Sequence, residues 1–182
     1  DGSLKKLVII DSDITKRKQA EEELSLRNKD ITDSINYAQR IQGALLIPAA
    51  EIKKEFSDAF VLFKPKDIVS GDFYWYAESK HNKILAVADC TGHGVPGGFM
   101  SMLGFAMLQE NLLLEDVKTT ADALTALDKK ITDTLNRNDR THRDGMDMVL
   151  CAFSKTERKL QFSCANRPLI RIRNKEITEF RG

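Results

Sequence analysis

The chain has 182 residues, of which 42% are hydrophobic, so it can form one domain of ordinary size with an appendage. Lys and Arg total 28 against 27 for Asp and Glu, which excludes a global field that attracts nucleic acid or an anionic membrane. Three cysteines without CxxC spacing favour buried thiols over a disulfide framework. No apolar run approaches the roughly 20 residues that span a bilayer. We therefore expect a cytoplasmic piece of a longer protein.

A short strand and a long helix are predicted first along the chain. Leu4 to Ile10 is β-branched and apolar, which indicates an edge or terminal strand. Capping residues occupy Asp11 to Thr15, and neither proline nor glycine occurs from there until Gly43. This composition predicts a helix over residues 15–46, ended by Pro48.

Apolar residues recur along this helix at heptad spacing. One seam consists of Leu24, Ile31, Ala38 and Leu45, and its companion of Ile14, Asn28, Ile35 and Gln42. Two interpretations remain open. The helix either forms a parallel homodimer, with Asn28 fixing the register, or lies as an amphipathic helix on its own domain.

The residue pattern changes after Pro48, where short runs rich in Val, Ile and aromatic residues predict strands. These are Ala59 to Phe63, Phe73 to Tyr76 and Ile84 to Ala88. Helical spacing then predicts helices at Gly97 to Leu114 and Thr120 to Leu135. The last predicted strands are Met148 to Phe153, Leu160 to Ala165, Leu169 to Ile172 and Ile177 to Phe180. Strands followed by helices and again by strands indicate an α+β domain, with helices covering antiparallel sheets.

Two aspartates lie at predicted strand ends beside apolar residues. Asp72 precedes the aromatic run Phe73 to Tyr76, and Asp89 follows the apolar run Ile84 to Ala88. A carboxylate is costly to bury there unless it is paired or bound to a cation, and such oxygen ligands suit Mg²⁺ or Mn²⁺. Each aspartate alone could equally be a turn residue that hydrogen-bonds its own backbone.

A glycine-rich loop follows Asp89. Its glycines Gly92, Gly94, Gly97 and Gly98 let the backbone turn sharply, so that carbonyls can approach a cation. The loop is not a P-loop, because no Gly-Lys-Ser/Thr ends it. His93 could be a general acid or simply an exposed residue.

These residues together resemble a known family. Phe63-Lys64-Pro65, Ser70-Gly71-Asp72-Phe73-Tyr74 and the run from Val87 to Gly97 are similar to the motifs of the metal-dependent protein phosphatase (PPM) family, in its sporulation stage II E (SpoIIE)-like branch. The similarity extends from about Tyr37 to the end. It implies a four-layer α/β/β/α sandwich of antiparallel sheets flanked by helices, formed here by residues 47–182 without the C-terminal part.

The resemblance also implies a mechanism and a ligand set. Two Mn²⁺ or Mg²⁺ ions would activate a water that hydrolyses phosphoserine or phosphothreonine on a regulatory phosphoprotein. Asp72 would bind one ion, Asp89 would bridge both, and the backbone carbonyl of Cys90 would complete this half, with Gly71, Gly92, His93, Gly94 and Gly97 shaping the loop. Asp147, in a run resembling a later family motif, is either a further ligand or part of an aspartate-rich turn.

Residues 1–14 and the start of the helix resemble the last strand of a PAS sensor domain and its exit helix. The run that carries this resemblance extends from Asp13-Ile14-Thr15 to Leu24. It implies that an upstream sensor controls the phosphatase through the helix, which spans residues 15–46.

The family's late Asp-Asp or Asp-Asn motif does not occur before Arg181-Gly182. We therefore expect an incomplete site and weak or no activity of this chain alone. A catalytically silent regulatory or dimerisation module is the alternative function. A nucleotide cyclase is disfavoured, because Phe73 and Tyr74 stand where its GGDEF signature needs acidic character.

Overall fold

The computed structural model of the protein describes residues 12–56, 58–112, 119–136 and 144–182. Its helices are α1 (Thr15–Leu45), α2 (Ala49–Glu55), α3 (Gly94–Leu112) and α4 (Thr120–Leu135). Its strands are β1 (Asp72–Glu78), β2 (Asn82–Cys90), β3 (Met146–Ser154), β4 (Leu160–Ala165), β5 (Leu169–Arg173) and β6 (Glu176–Phe180). The predicted α+β class and the long N-terminal helix are confirmed. The predicted PAS-like strand Leu4 to Ile10 lies outside the described residues.

Strands β1 to β4 form one antiparallel sheet in chain order. Because successive side chains of a strand point to opposite faces, β1 and β2 bury alternate residues. The buried face packs against α3 and α4 and includes Trp75, Ala86 and Leu150, all with 0% exposure. Burying a side chain such as Leu150 stabilises the folded state by about 1.5–3 kcal/mol. The packing of α3 and α4 on the sheet is therefore the hydrophobic core of the domain.

Helix α1 changes its environment along its length. Residues 15–34 are exposed throughout, whereas Ile35, Ala38 and Leu45 are half-buried and Gln42 is buried. The C-terminal part contacts α3. The interpretation of α1 as a helix lying on its own domain is therefore wrong for its first two thirds and holds only for its last turns.

Three element predictions need correction. Ala59 to Phe63 is not a strand, because it pairs with no strand of the described residues. Its side chains Phe60 and Leu62 are exposed. Helix α2 was not predicted, since seven residues are too few for a periodic pattern. Helix α3 begins at Gly94 rather than Gly97, because Pro96 lies in a first turn whose N–H groups have no helical acceptor.

Strands β5 and β6 form a separate hairpin. Asn174 and Lys175 connect them with positive φ angles of 51° and 68°. A two-residue type I′ hairpin turn requires positive φ at both of its central residues. Of the four layers that the resemblance implies, the described residues form one helical layer, the four-stranded sheet and this hairpin. In the described ranges, no helix combines the length and apolar character needed to cross a membrane.

Candidate functional site

Three aspartates form a row across neighbouring strands at one end of the sheet. Asp72 of β1 lies opposite Asp89 of β2, and Asp89 lies opposite Asp147 of β3. Residues directly opposite each other in antiparallel strands share a face. This face is the one turned away from α3 and α4, because the adjacent residues Phe73 and Ala88 are buried in the core. The structure therefore brings together the two aspartates predicted as ligands and the weaker candidate Asp147.

The row concentrates negative charge. Partial burial, followed by the neighbouring Asp89 carboxylate, raises the pKa of Asp72 above its ordinary value, and the positive charge of Arg167 opposes this rise. The neighbouring negative charge disfavours ionisation of Asp72, whereas a bound cation would favour it. The arrangement is therefore suited to holding a positive charge.

Arg167 supplies a positive charge in the described structure. Its Nη2 donates a hydrogen bond to Oδ2 of Asp89, and its Nε lies 3.4 Å from Oδ2 of Asp147. The neighbouring Asn166 donates from Nδ2 to Oδ1 of Asp147 at 3.0 Å. Sequence reasoning missed both residues. Their proximity to the aspartates depends on the pairing of β4 with β3, which no local signal shows.

Tight backbone packing explains the glycines of the loop. A Cβ atom at Gly71 would lie 2.8 Å from the carbonyl oxygen of Gly92, and one at Gly97 would lie 2.7 Å from the same oxygen. Real Cβ atoms do not approach a backbone oxygen so closely. Gly92 and Gly94 have positive φ angles of 88° and 62°, which residues with a Cβ rarely adopt. The predicted loop therefore folds against the turn before Asp72.

Hydrogen bonds hold the start of this loop in place. Thr91 accepts a hydrogen bond at Oγ1 from the N–H of Gly145 at 3.1 Å, and its own N–H donates to the Gly145 carbonyl at 2.9 Å. The N–H of Cys90 faces the Gly71 carbonyl at 3.4 Å. The backbone after β2 is thus tied to the segments before β3 and before β1, which fixes Asp89 relative to Asp147 and Asp72.

His93 lies on the rim of the loop. Its Nδ1 is 2.9 Å from Oδ2 of Asp67, and its side chain is 70% exposed. Asp67 was not predicted as a site residue. Of the two open interpretations of His93, the structure shows an exposed, paired histidine and no contact with the aspartate row in the described part of the chain.

A buried polar cluster connects α1 to the turn that carries Asp72. Gln42 donates from Nε2 to the Ser70 carbonyl and to Oγ of Ser101, both at 2.7 Å, and accepts at Oε1 from the Ser70 N–H at 3.0 Å. Ser70 in turn accepts at Oγ from the N–H of Asp72 at 3.0 Å. The sequence placed Gln42 on the companion seam, and its burial inside the domain agrees with the interpretation of this end of α1 as a helix lying on its own domain.

A groove of about 810 Å³ runs along the outer face of the sheet from the aspartates. Its floor is largely apolar and includes Leu85, Val87 and Val149, and the segment 58–64 and residues 167–170 border it. Asp72, Asp89 and Arg167 line its polar end. The groove therefore joins an apolar sheet face to the charged row.

The donor chemistry of the row suits a hard divalent cation. Carboxylate and backbone carbonyl oxygens are the ligands that Mg²⁺ and Mn²⁺ prefer. Across residues 12–56, 58–112, 119–136 and 144–182, however, no three His, Cys, Asp or Glu side chains are grouped as a ready metal site. The aspartates are aligned, but their oxygens are not gathered around one point while Arg167 contacts two of them.

Comparisons with known proteins agree with this architecture. The family profile for Stage II sporulation protein E (SpoIIE) matches residues 79–181. Among solved structures, the SiaA-PP2C domain of Pseudomonas aeruginosa superposes with a TM-score of 0.75 at 32% sequence identity, over 86% of this chain and 62% of that chain. This chain thus spans less than two thirds of that solved chain. No curated protein matches it. Since the profile covers more than half of the chain and includes β2 with Asp89, the chain belongs to the SpoIIE family of PP2C-like phosphatase domains.

Proposed function

We propose that this domain is a metal-dependent protein serine/threonine phosphatase that hydrolyses phosphoserine or phosphothreonine on a regulatory protein. The observation that carries the proposal is the row of Asp72, Asp89 and Asp147 at one end of a sheet in a SpoIIE-family domain. Family membership supports the reaction class, and the aligned carboxylates support the metal dependence.

Each residue has a stated role in this proposal. Asp72, Asp89 and the carbonyl oxygen of Cys90 would hold the cations, with Asp147 as a further carboxylate ligand. Bound Mn²⁺ or Mg²⁺ would lower the pKa of a shared water and offset the charge of the phosphate. The chain itself orients these ligands through the glycine contacts and the Thr91 bridge. No side-chain nucleophile is required.

We further propose that the complete domain has the four-layer sandwich that the resemblance implies. Two observations support this. The outer face of the sheet exposes apolar residues along the groove, such as Val87, and the solved SiaA-PP2C chain is longer than this one. A second sheet packed on this face would bury these residues, as in other two-sheet sandwiches.

Control by an upstream sensor is part of the proposal. Helix α1 is exposed along residues 15–34 and ends in the buried Gln42, which bonds to the turn before Asp72. A rotation or shift of α1 would therefore change the position of Ser70 and with it Asp72. This supports a role of the helix in coupling an N-terminal sensor to the site.

A catalytically silent regulatory module is the second candidate. It is favoured by the pairing of Arg167 with Asp89 and Asp147, because a side-chain cation then satisfies carboxylates that a catalytic site would give to metal ions. In such a module the groove would bind a partner protein and catalyse no reaction.

Hydrolysis of a phosphoserine peptide with and without Mn²⁺ distinguishes the two candidates. It is measured with this chain and with a longer version that includes the family's late aspartate motif. In the longer version we expect Mn²⁺-dependent turnover that Asp89→Ala lowers at least about hundredfold, since even residues that only support a metal ligand cost 10–100-fold. Asp128→Ala, an exposed aspartate on α4, is the matched control and should keep full activity.

The outcomes are separable. Turnover that survives Asp89→Ala would refute the proposed mechanism. No turnover in either version, with normal folding, would favour the silent module.

A further inference from the structure

Arg167 contacts the carboxylate row, and the proposed phosphatase mechanism gives this arginine no role. Its guanidinium contacts Asp89 through Nη2 and approaches Asp147 through Nε. Among the ion pairs of the described residues, it is the one cation that pairs with either aspartate. One fixed positive charge thus faces three carboxylates.

The backbone holds Arg167 in this position. Ala165, at the end of β4, lies opposite Met148, the residue after Asp147. The chain then turns through Asn166, whose φ is 59°, and the N–H of Arg167 donates to the Ala165 carbonyl at 2.8 Å. Asn166 also donates its side-chain amide to Asp147. This turn is tied to β4 by the N–H of Arg167 and to β3 by the side chain of Asn166, which keeps the arginine beside the row.

The chemistry of the guanidinium makes this contact consequential. Arginine cannot lose its proton in a protein, so it always carries its charge at the row. A divalent cation and a guanidinium repel each other, and a cation held at the row would need the carboxylates that Arg167 contacts. Since Arg167 is 54% exposed, its side chain can withdraw into solvent without disturbing the core.

We propose that Arg167 is a built-in counter-ion that competes with a divalent cation for Asp89 and Asp147, and thereby lowers the metal affinity of the site. The inference rests on the proposed metal site and concerns its regulation. Metal binding withdraws the guanidinium from the two carboxylates, and metal loss returns it.

Calorimetric titration of the metal-free chain with Mn²⁺, at fixed pH and ionic strength, tests this competition directly. Arg167→Gln removes the charge and should bind Mn²⁺ about three- to tenfold more tightly than the wild type, a modest factor because partly exposed ion pairs are weak. Arg171→Gln is the matched control. Arg171 lies on the adjacent β5, stacks over Phe180 and does not touch the row. Its substitution therefore removes the same charge without changing a contact to the aspartates.

A second readout uses thermal unfolding. Adding Mn²⁺ should raise the melting temperature of Arg167→Gln more than that of the wild type or of Arg171→Gln, since tighter binding to the folded state gives more stabilisation. If Arg167→Gln does not fold, Arg167→Met, which keeps an aliphatic stem, is judged by the same criteria.

The results separate this inference from the proposed function. Mn²⁺ affinity in Arg167→Gln equal to or below that of the wild type, with binding abolished by Asp89→Ala, overturns the counter-ion role and leaves the metal site intact. An equal gain in Arg171→Gln also overturns it, because the effect is then one of net charge. Absence of Mn²⁺ binding in all variants overturns both proposals.

Discussion

Asp89 and Cys90 are neighbours on β2, yet they lie on opposite faces of the sheet. Asp89 is half-exposed beside Arg167, whereas Cys90 belongs to the core cluster with 4% exposure. The strand alternation that separates them follows from the backbone alone. The expectation of buried thiols is confirmed for Cys90 and Cys151, while Cys164 is only half-buried.

The thiol of Cys90 should be unreactive in the native protein. Burial in the first place, and then the charges of Asp89 and Asp72, raise its pKa to about 12. Burial, followed by Cys164, raises the pKa of Cys151 to about 11. At pH 8.5 we expect roughly a thousandfold less thiolate at Cys90 than at a cysteine with an ordinary pKa.

Alkylation with iodoacetamide at pH 8.5, followed by peptide mass spectrometry, checks this expectation. Cys164 should react first and Cys90 should remain unmodified until the protein unfolds. In urea all three cysteines should react at similar rates, which is the control. Early modification of native Cys90 would show that its environment is not the one described.

At the scale of elements, the junction of α1 with the domain depends on one side chain. Gln42 is 7% exposed and makes three hydrogen bonds to the turn before β1 and to α3. A buried amide with partners for both its oxygen and its nitrogen fixes the helix in one position, because any shift leaves polar groups without partners.

Gln42→Ala should destabilise the protein by about 1–3 kcal/mol. The Ser70 carbonyl keeps the Ser101 hydroxyl as a donor, but the buried Ser70 N–H loses its acceptor. Urea unfolding followed by circular dichroism measures the change. Gln19→Ala, at an exposed position of the same helix, should stay within about 0.5 kcal/mol. Equal effects of the two substitutions would contradict the role given to the cluster.

Sequence patterns predicted most elements but failed where strand pairing decides whether an apolar run forms a strand. The strands around Trp75, Ala86 and Leu150 carry a strong apolar signal and are confirmed. Ala59 to Phe63 carries a comparable signal, yet it borders the groove as irregular chain. A strand exists only where a neighbouring strand supplies hydrogen-bond partners, and local composition does not contain that information.

At the scale of the whole molecule, the first two thirds of α1 extend away from the domain. Leu24 and Ile31, on one predicted seam, are 59% and 58% exposed, so within the described part of a single chain these two seam residues have no packing partner. At about 1.5 Å per residue, a helix of this length is roughly 45 Å long. Pairing of two copies would bury these residues, which supports the interpretation of the helix as part of a parallel homodimer.

The double substitution Leu24→Lys with Ile31→Lys should dissociate such a dimer, because charges on the seam oppose burial. Sedimentation velocity should show the wild type as a dimer and the variant as a monomer with unchanged domain stability. Lysines at Gln19 and Asn36, outside the predicted seams, are the control and should leave the dimer intact. A monomeric wild type at micromolar concentration would refute pairing through α1.

The sequence by itself determined the α+β class, most element positions, and Asp72 and Asp89 as candidate ligands. These depend on local patterns of apolar, glycine and acidic residues, which propensity and periodicity express directly. Only the tertiary structure decided that Asp147 joins the row, that Arg167 contacts it, and that Gln42 is buried against its own domain. Those facts depend on strand register and helix docking. Contacts between residues distant along the chain arise from packing of the whole core, so no single segment encodes them.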